Sequence, residues 1–290
     1  MSFLRNRRGL LPWGLLGPGL AWLLVFFAAP MVYMGYVSLQ EGSIDEGYRF
    51  TWHFQTYSDS LSNYSEQFVR SFIYGGASTL IALLVAYPLA YAIAFHGGKW
   101  RNALLLAVIL PFFVTYLIRT LSWQTILSDD GVVVSVLKSL HLVPQDGRVL
   151  ATTGAVVAGI TYNFLPFMIL PLYASLERID HRMLEAGYDL YGRRRDVFLR
   201  VTLPLSGPGI VAGVLLTFIP AAGDFVNAAL LGTPQQAMIG NVIQSRYLVL
   251  TDYPTAAALS FILMALILVL VLVYAKIAGT ETLTGAEAER

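Results

Sequence analysis

Ionisable residues set among apolar ones are where this chain could do chemistry, and they form two groups. Arg119 and Asp224 stand inside long, otherwise uncharged runs. A charge at the centre of a membrane helix costs roughly 2.5 to 3.5 kcal/mol, so each needs a reason. Two reasons compete. Either the two residues form a structural tie, with each other or with backbone and water, or Asp224 lines a path and attracts a cation. In the second case the rings of Tyr116, Trp123 and Tyr162 could hold an ammonium by cation–π contact. The other group is Arg182, Glu185 and Asp189, which alternate at helical spacing with Met183, Leu184, Gly187, Leu190 and Tyr191. That pattern predicts a short amphipathic helix whose charged face is offered to a partner, which is the chemistry of ionic docking.

Bond-making chemistry has no support. The four histidines, His53, His96, His141 and His181, stand apart with no HExxH spacing, and cysteine is absent, so no metal site or thiol nucleophile is expected. No GxxxxGK[ST] phosphate loop and no GxSxG elbow occur. The chain is therefore read as having no catalytic residue and no cofactor of its own, and nothing in it points to a nucleic-acid partner.

The elements that would position these residues are membrane helices. Hydrophobic residues make up 56% of the 290 and charged ones only 13%, about half the charged fraction of an ordinary soluble domain. The mean hydropathy is +0.63. A bilayer core takes about 20 helical residues to cross. The apolar runs predict an all-α integral membrane protein with one transmembrane domain over residues 9–279 and six helices at about 13–39, 70–95, 102–127, 149–176, 205–231 and 253–277. They are continuous rather than alternating, which excludes a barrel. The first run is too long for a cleavable leader, and no small-x-small site precedes a polar start.

Thirteen of the nineteen basic residues fall at the amino terminus (1–8), in the second-to-third and fourth-to-fifth connections, or near the carboxyl end. Because cytoplasmic loops carry the excess of Lys and Arg, both termini (1–8 and 280–290) and the loop 177–204 are expected inside the cell. The outer connections carry nine acids, among them Glu41, Asp45, Glu46 and Asp252, against five bases; this would favour a cation, although the charge bias alone leaves outer loops acidic in proteins of any function. Gly131 to Leu142 and Gly240 to Leu250 read as short amphipathic helices on that side, either lidding a path or packing on the rim.

The inner loop carries a recognisable spacing. Glu185, Ala186, Leu203 and Pro204 match the EAA pattern of ABC importer permeases: E-A-A, three residues, G, nine residues, I-x-L-P. Gly187 stands for the second alanine, Val201 for the isoleucine, and Tyr191 occupies the glycine position with Gly192 one residue later. Further stretches resemble the permeases of spermidine/putrescine importers. They are Leu110-Pro111-Phe112, Leu117 to Thr120 with Trp123, Phe218 to Gly232, Met238 to Asn241, and Asp252 to Ser260.

The resemblance implies a six-helix type I ABC importer permease in the bacterial inner membrane, working by alternating access. Its loop would form a coupling helix, with Glu185, Ala186, Gly187, Asp189, Gly192, Leu203 and Pro204 meeting the ATPase. The implied partners are a second homologous permease subunit, an ATPase homodimer that binds ATP and Mg, an extracytoplasmic substrate-binding protein and the lipid membrane. Polyamines are the implied substrate. The same architecture would also serve an amino acid derivative, an organophosphonate or ferric ion, and a self-sufficient secondary transporter is the alternative from another class.

Overall fold

The computed structural model describes residues 11–141 and 143–278. The basic start at 1–8 and the tail at 280–290 lie outside the described residues. The chain divides into two compact units.

In the first unit, which joins residues up to Asn63 with Ile243–Ile262, helix α1 runs through Leu11–Leu23, one wide turn at Leu24–Ala28, and Ala29–Ser38. Its side chains from Leu23 to Phe27 are exposed apolar surface, as lipid-facing residues are. Strands β1 (Gln40–Ser43) and β2 (Gly47–Phe50) follow as an antiparallel hairpin with Gln40 opposite Phe50 and Glu41 opposite Arg49. Sequence reading did not foresee this hairpin, whose four-residue strands are too short to show a period. Helix α2 (Gln55–Asn63) is tied to the end of α1 by a 2.6 Å hydrogen bond between Tyr57 and the buried Ser38.

The second unit holds residues 64–242 and the chain from Leu263 onward. Its helices are α3 (Ser65–His96), α4 (Arg101–Ile109), α5 (Tyr116–Ile126), α6 (Val132–Ser139), α7 (Thr153–Glu177), α8 (His181–Tyr191), α9 (Arg194–Leu205), α10 (Gly207–Ala222) and α11 (Val226–Leu231). Two more, α12 (Ile239–Leu248) and α13 (Tyr253–Ala278), have residues in both units.

Helices α3, α7 and α10 pack on one another. Small residues allow the close approach: Ala82, Ala86 and Ala90 recur one turn apart and are fully buried on α3. On α10, a Cβ at Gly209 would lie 2.7 Å from the Pro171 carbonyl of α7. In lipid, where apolar helices gain no hydrophobic force from each other, such contacts carry the association.

Among the described residues, four helices are long and apolar enough to cross a membrane, or six if each of two bent pairs counts as one span. The expected single helix at 102–127 is broken: after a tight turn at Leu110–Phe113, Val114 is extended and α5 leaves at 94°. Pro111, which lacks an N–H, and the β-branched pair Val114-Thr115 disfavour continuation. The expected helix at 205–231 is also interrupted, at Gly223–Phe225, and α9 precedes it at a 62° bend. By contrast, α7 continues through Pro166 and Pro171.

Candidate functional site

The cassette that runs from Asp180 to Pro204 is built from its caps inward. Asp180 accepts a hydrogen bond from the Arg182 backbone N–H at 2.9 Å and starts α8. Gly192, at φ +68°, ends it and donates its N–H to the Tyr188 carbonyl at 2.8 Å. Glycine tolerates that positive φ without penalty. The one-residue displacement of glycine from the family pattern thus has a structural counterpart: the helix runs through Tyr191 before it stops.

Leu184 and Gly187 are buried, while Glu185, Ala186 and Asp189 are exposed and hold no ion pair among the described residues. The expected apolar face is narrower than its letters suggest, because Met183 and Leu190 are exposed, at 49% and 79%. A Cβ on Gly187 would stand 3.2 Å from methyls of Val197 and Val201, so α8 sits close on α9. Behind α9, Tyr87 of α3 bonds Ser206 at 2.9 Å and packs its ring edge-on to Phe198. A wide turn at Phe198–Thr202 comes just before Pro204, whose ring cannot fit a regular preceding turn. Arg101 pairs with Glu177 at the end of α7, where the cassette begins.

The second centre lies where the two broken spans meet. Tyr116, the first residue of α5, donates its hydroxyl to Asp224 Oδ2 in the other break. Asn227 Nδ2 donates to the same oxygen at 2.8 Å, and the Asn227 backbone N–H donates to Oδ1 at 2.8 Å, so the carboxylate caps α11. Asn163 of α7 donates to both Asn227 Oδ1 and Thr120 Oγ1 at 3.1 Å. Asp224, Asn227, Asn163 and Thr120 are all buried.

Broken backbone survives at membrane depth only when its polar groups find partners. Here Asn241 donates its amide to the Phe225 carbonyl at 2.7 Å, and Gly240 leaves room for the Gly223 carbonyl. The stretch Met238 to Asn241 therefore covers the break at Gly223 to Phe225.

Asp224 and Arg119 are both buried, but they form no ion pair. Arg119 lays its guanidinium over Phe112, 4.9 Å from the ring centre, and over Tyr116 at 5.7 Å. Its Nε and Nη1 are buried without a hydrogen-bond partner among the described residues. It lines a cavity of about 310 Å³ whose other walls include Leu89, Leu104, Val108 and Tyr162. Tyr162 also packs on Trp123, with ring centres 5.4 Å apart, beside a shallower cleft. The structure thus joins Tyr116 to Asp224 and places Arg119, Tyr162 and Trp123 along clefts. Asn163, Asn227 and Thr120 were missed by sequence reading; an asparagine inside an apolar run is the signal that could have found two of them.

A family described as binding-protein-dependent transport system inner membrane component matches residues 63–279. The spermidine/putrescine transport system permease protein PotB of Haemophilus influenzae is 36% identical over 255 residues, covering 88% of this chain and 89% of its own. PotB of Escherichia coli is 37% identical over 211 residues, 73% of this chain and 77% of its own. Among solved structures, a bacterial alginate ABC transporter in complex with an alginate pentasaccharide-bound periplasmic protein has a similar chain, with a TM-score of 0.71 at 22% identity over 97% of this chain and 98% of that one. This last likeness carries the fold, a type I permease, and the sequence matches carry the descent: the chain belongs to the family of inner-membrane components of binding-protein-dependent transport systems.

Proposed function

We propose that this chain is one transmembrane subunit of an ATP-driven importer of polyamines, coupled to a partner ATPase through α8. The observation that carries the coupling role is the exposed, unpaired face of Glu185, Ala186 and Asp189 over a buried Leu184 and Gly187. Ions left free on a well-seated helix suit a partner with complementary charge. ATP and Mg would reside on that ATPase, and no catalytic group is assigned to this chain. A second permease subunit and an extracytoplasmic binding protein complete the assembly, with both termini and α8 on the cytoplasmic side. Glu185→Arg should leave folding and insertion intact while cutting ATP-driven uptake at least tenfold; full uptake by this variant would overturn the role given to α8.

Polyamines are proposed because the relatives from H. influenzae and E. coli bear names of spermidine/putrescine systems. Asp224 and Tyr116 are assigned to holding the broken ends together, since both carboxylate oxygens accept hydrogen bonds. The aromatic cleft of Trp123 and Tyr162 is the better lining for a cation, because Arg119 would repel one. Arg119 also supports a second reading. An unpaired, buried guanidinium favours a solute bearing an oxyanion, such as an amino acid derivative or an organophosphonate. Calorimetry on the cognate binding protein decides between them: heat with spermidine or putrescine supports the first reading, and heat with an organophosphonate alone supports the second.

A further inference from the structure

The first unit contains a cavity of about 480 Å³ lined by four tyrosines, Tyr33, Tyr48, Tyr247 and Tyr253, with Gln40 among the few other polar residues. Tyr253 is the centre of the cluster, its ring 5.6 Å from that of Tyr48 and 5.1 Å from that of Tyr247, tilted 55° and 62° to them. Rings set at such angles do not stack shut on one another. Tyr33 and Tyr247 form an open rim, at 68% and 54% exposed, while Ala257 is buried beneath them.

The walls are held firmly. Tyr48 donates its hydroxyl to the Thr251 carbonyl, and the neighbouring turn is clamped by Arg246 to Asp252 at 3.0 Å. Thr251 itself sits at φ +51°, a conformation costing a β-branched residue about 1 to 3 kcal/mol, which persists only where the surroundings impose it and is characteristic of ligand sites.

Electrostatics select the ligand. Among the described residues no charged side chain lines the cavity, so none there attracts an anion. The hairpin beside it carries exposed Glu41, Asp45 and Glu46 against one base, Arg49. Aromatic faces carry a negative quadrupole and bind cations within about 6 Å of the ring centre, most strongly when several rings surround an alkylated ammonium.

We propose that the cavity of Tyr33, Tyr48, Tyr247 and Tyr253 is a binding site for an organic amine, which it receives by cation–π contact on the outer side of the membrane. This rests on the polyamine reading and extends it to a site on the permease itself, built from none of the residues at the two breaks.

The test uses the full chain with its partner subunits in nanodiscs and equilibrium binding of three probes: spermidine, tetramethylammonium and the uncharged butane-1,4-diol. Saturable binding of both cations, absent for the diol, is expected. Tyr253→Leu should weaken it at least tenfold and Tyr253→Phe less than twofold, because the ring is what binds. Tyr247→Leu, at the exposed rim, should also weaken binding and is not expected to disturb folding. Binding of the diol as tight as that of the cations, or cation binding unchanged in both leucine variants, would overturn the site. If tetramethylammonium binds with this tyrosine dependence while spermidine neither binds nor is imported, the amine site stands and the polyamine reading falls. Spermidine import without tyrosine-dependent binding gives the reverse.

Discussion

Glu185 and Asp224 are both carboxylates in an apolar chain, and the structure treats them oppositely. Glu185 stands on the outside of α8 with no ion pair among the described residues, whereas Asp224 is 6% exposed and accepts from Tyr116 and twice from Asn227. The surface charge is kept free by a helix seated through its uncharged side. The buried charge is consumed by its own fold, closing two breaks that lipid would not otherwise tolerate. A charge at membrane depth therefore does not by itself mark a substrate path, and the contrast turns on which polar groups are left over: Arg119 has unmet donors, and Asp224 has no oxygen without a donor.

Breaking the buried side should have the largest effect on stability. Asp224→Ala removes the acceptor of three hydrogen bonds at once, from the Tyr116 hydroxyl and from the Asn227 backbone and amide. Single membrane hydrogen bonds average only about 0.6 kcal/mol, but donors left together in a dry site lose their partner outright, so a loss of about 2 to 4 kcal/mol is expected. Thermal unfolding in detergent should show a clear fall in melting temperature, accompanied by poor assembly. An unchanged melting temperature would mean the polar cluster holds nothing together and would return Asp224 to the path.

The two regions also differ in how much of them could be read beforehand. The helical spacing of α8 is a local signal, and a helix forms over His181–Tyr191 with Leu184 and Gly187 buried, although Met183 and Leu190 of the expected apolar face are exposed. The breaks at Val114-Thr115 and at Gly223 to Phe225 were hidden because hydropathy counts apolar residues without seeing the direction of the chain. Residues 102–127 and 205–231 are apolar enough to pass as straight spans. Asn163 and Asn227 carry no formal charge and escaped a search for ionisable groups, although they complete the cluster. The meeting of Tyr116 with Asp224 joins residues 108 apart in the chain and depends on both breaks, so no local pattern announces it.

A smaller effect should follow from disturbing the end of α8. Gly192→Ala places a Cβ on a residue at φ +68°, which costs about 1 kcal/mol or somewhat more. The cap should loosen while the polar cluster is untouched. Limited trypsin digestion should then cut faster at Arg193 to Arg195, with only a slight change in global melting temperature. Equal cleavage rates would show that the glycine shift is incidental to the turn.

The smallest effect is expected at Gly187, where the family pattern has alanine. Two terms oppose. Alanine is favoured over glycine within a helix by about 1 kcal/mol. Its methyl, however, would stand 3.2 Å from the Val197 and Val201 methyls, a few tenths of an ångström too close, and β-branched valines rotate aside reluctantly. The two should nearly cancel, so Gly187→Ala should change stability by less than about 0.5 kcal/mol and leave ATP-driven uptake near that of the unaltered protein. Uptake cut by more than half at unchanged stability would show that the exact seating of α8 on α9, and not only the charge of Glu185, transmits the stroke. A helix α8 that tolerates this change, in a chain whose polar cluster does not tolerate Asp224→Ala, would separate a surface tuned for the partner proposed above from an interior built for itself.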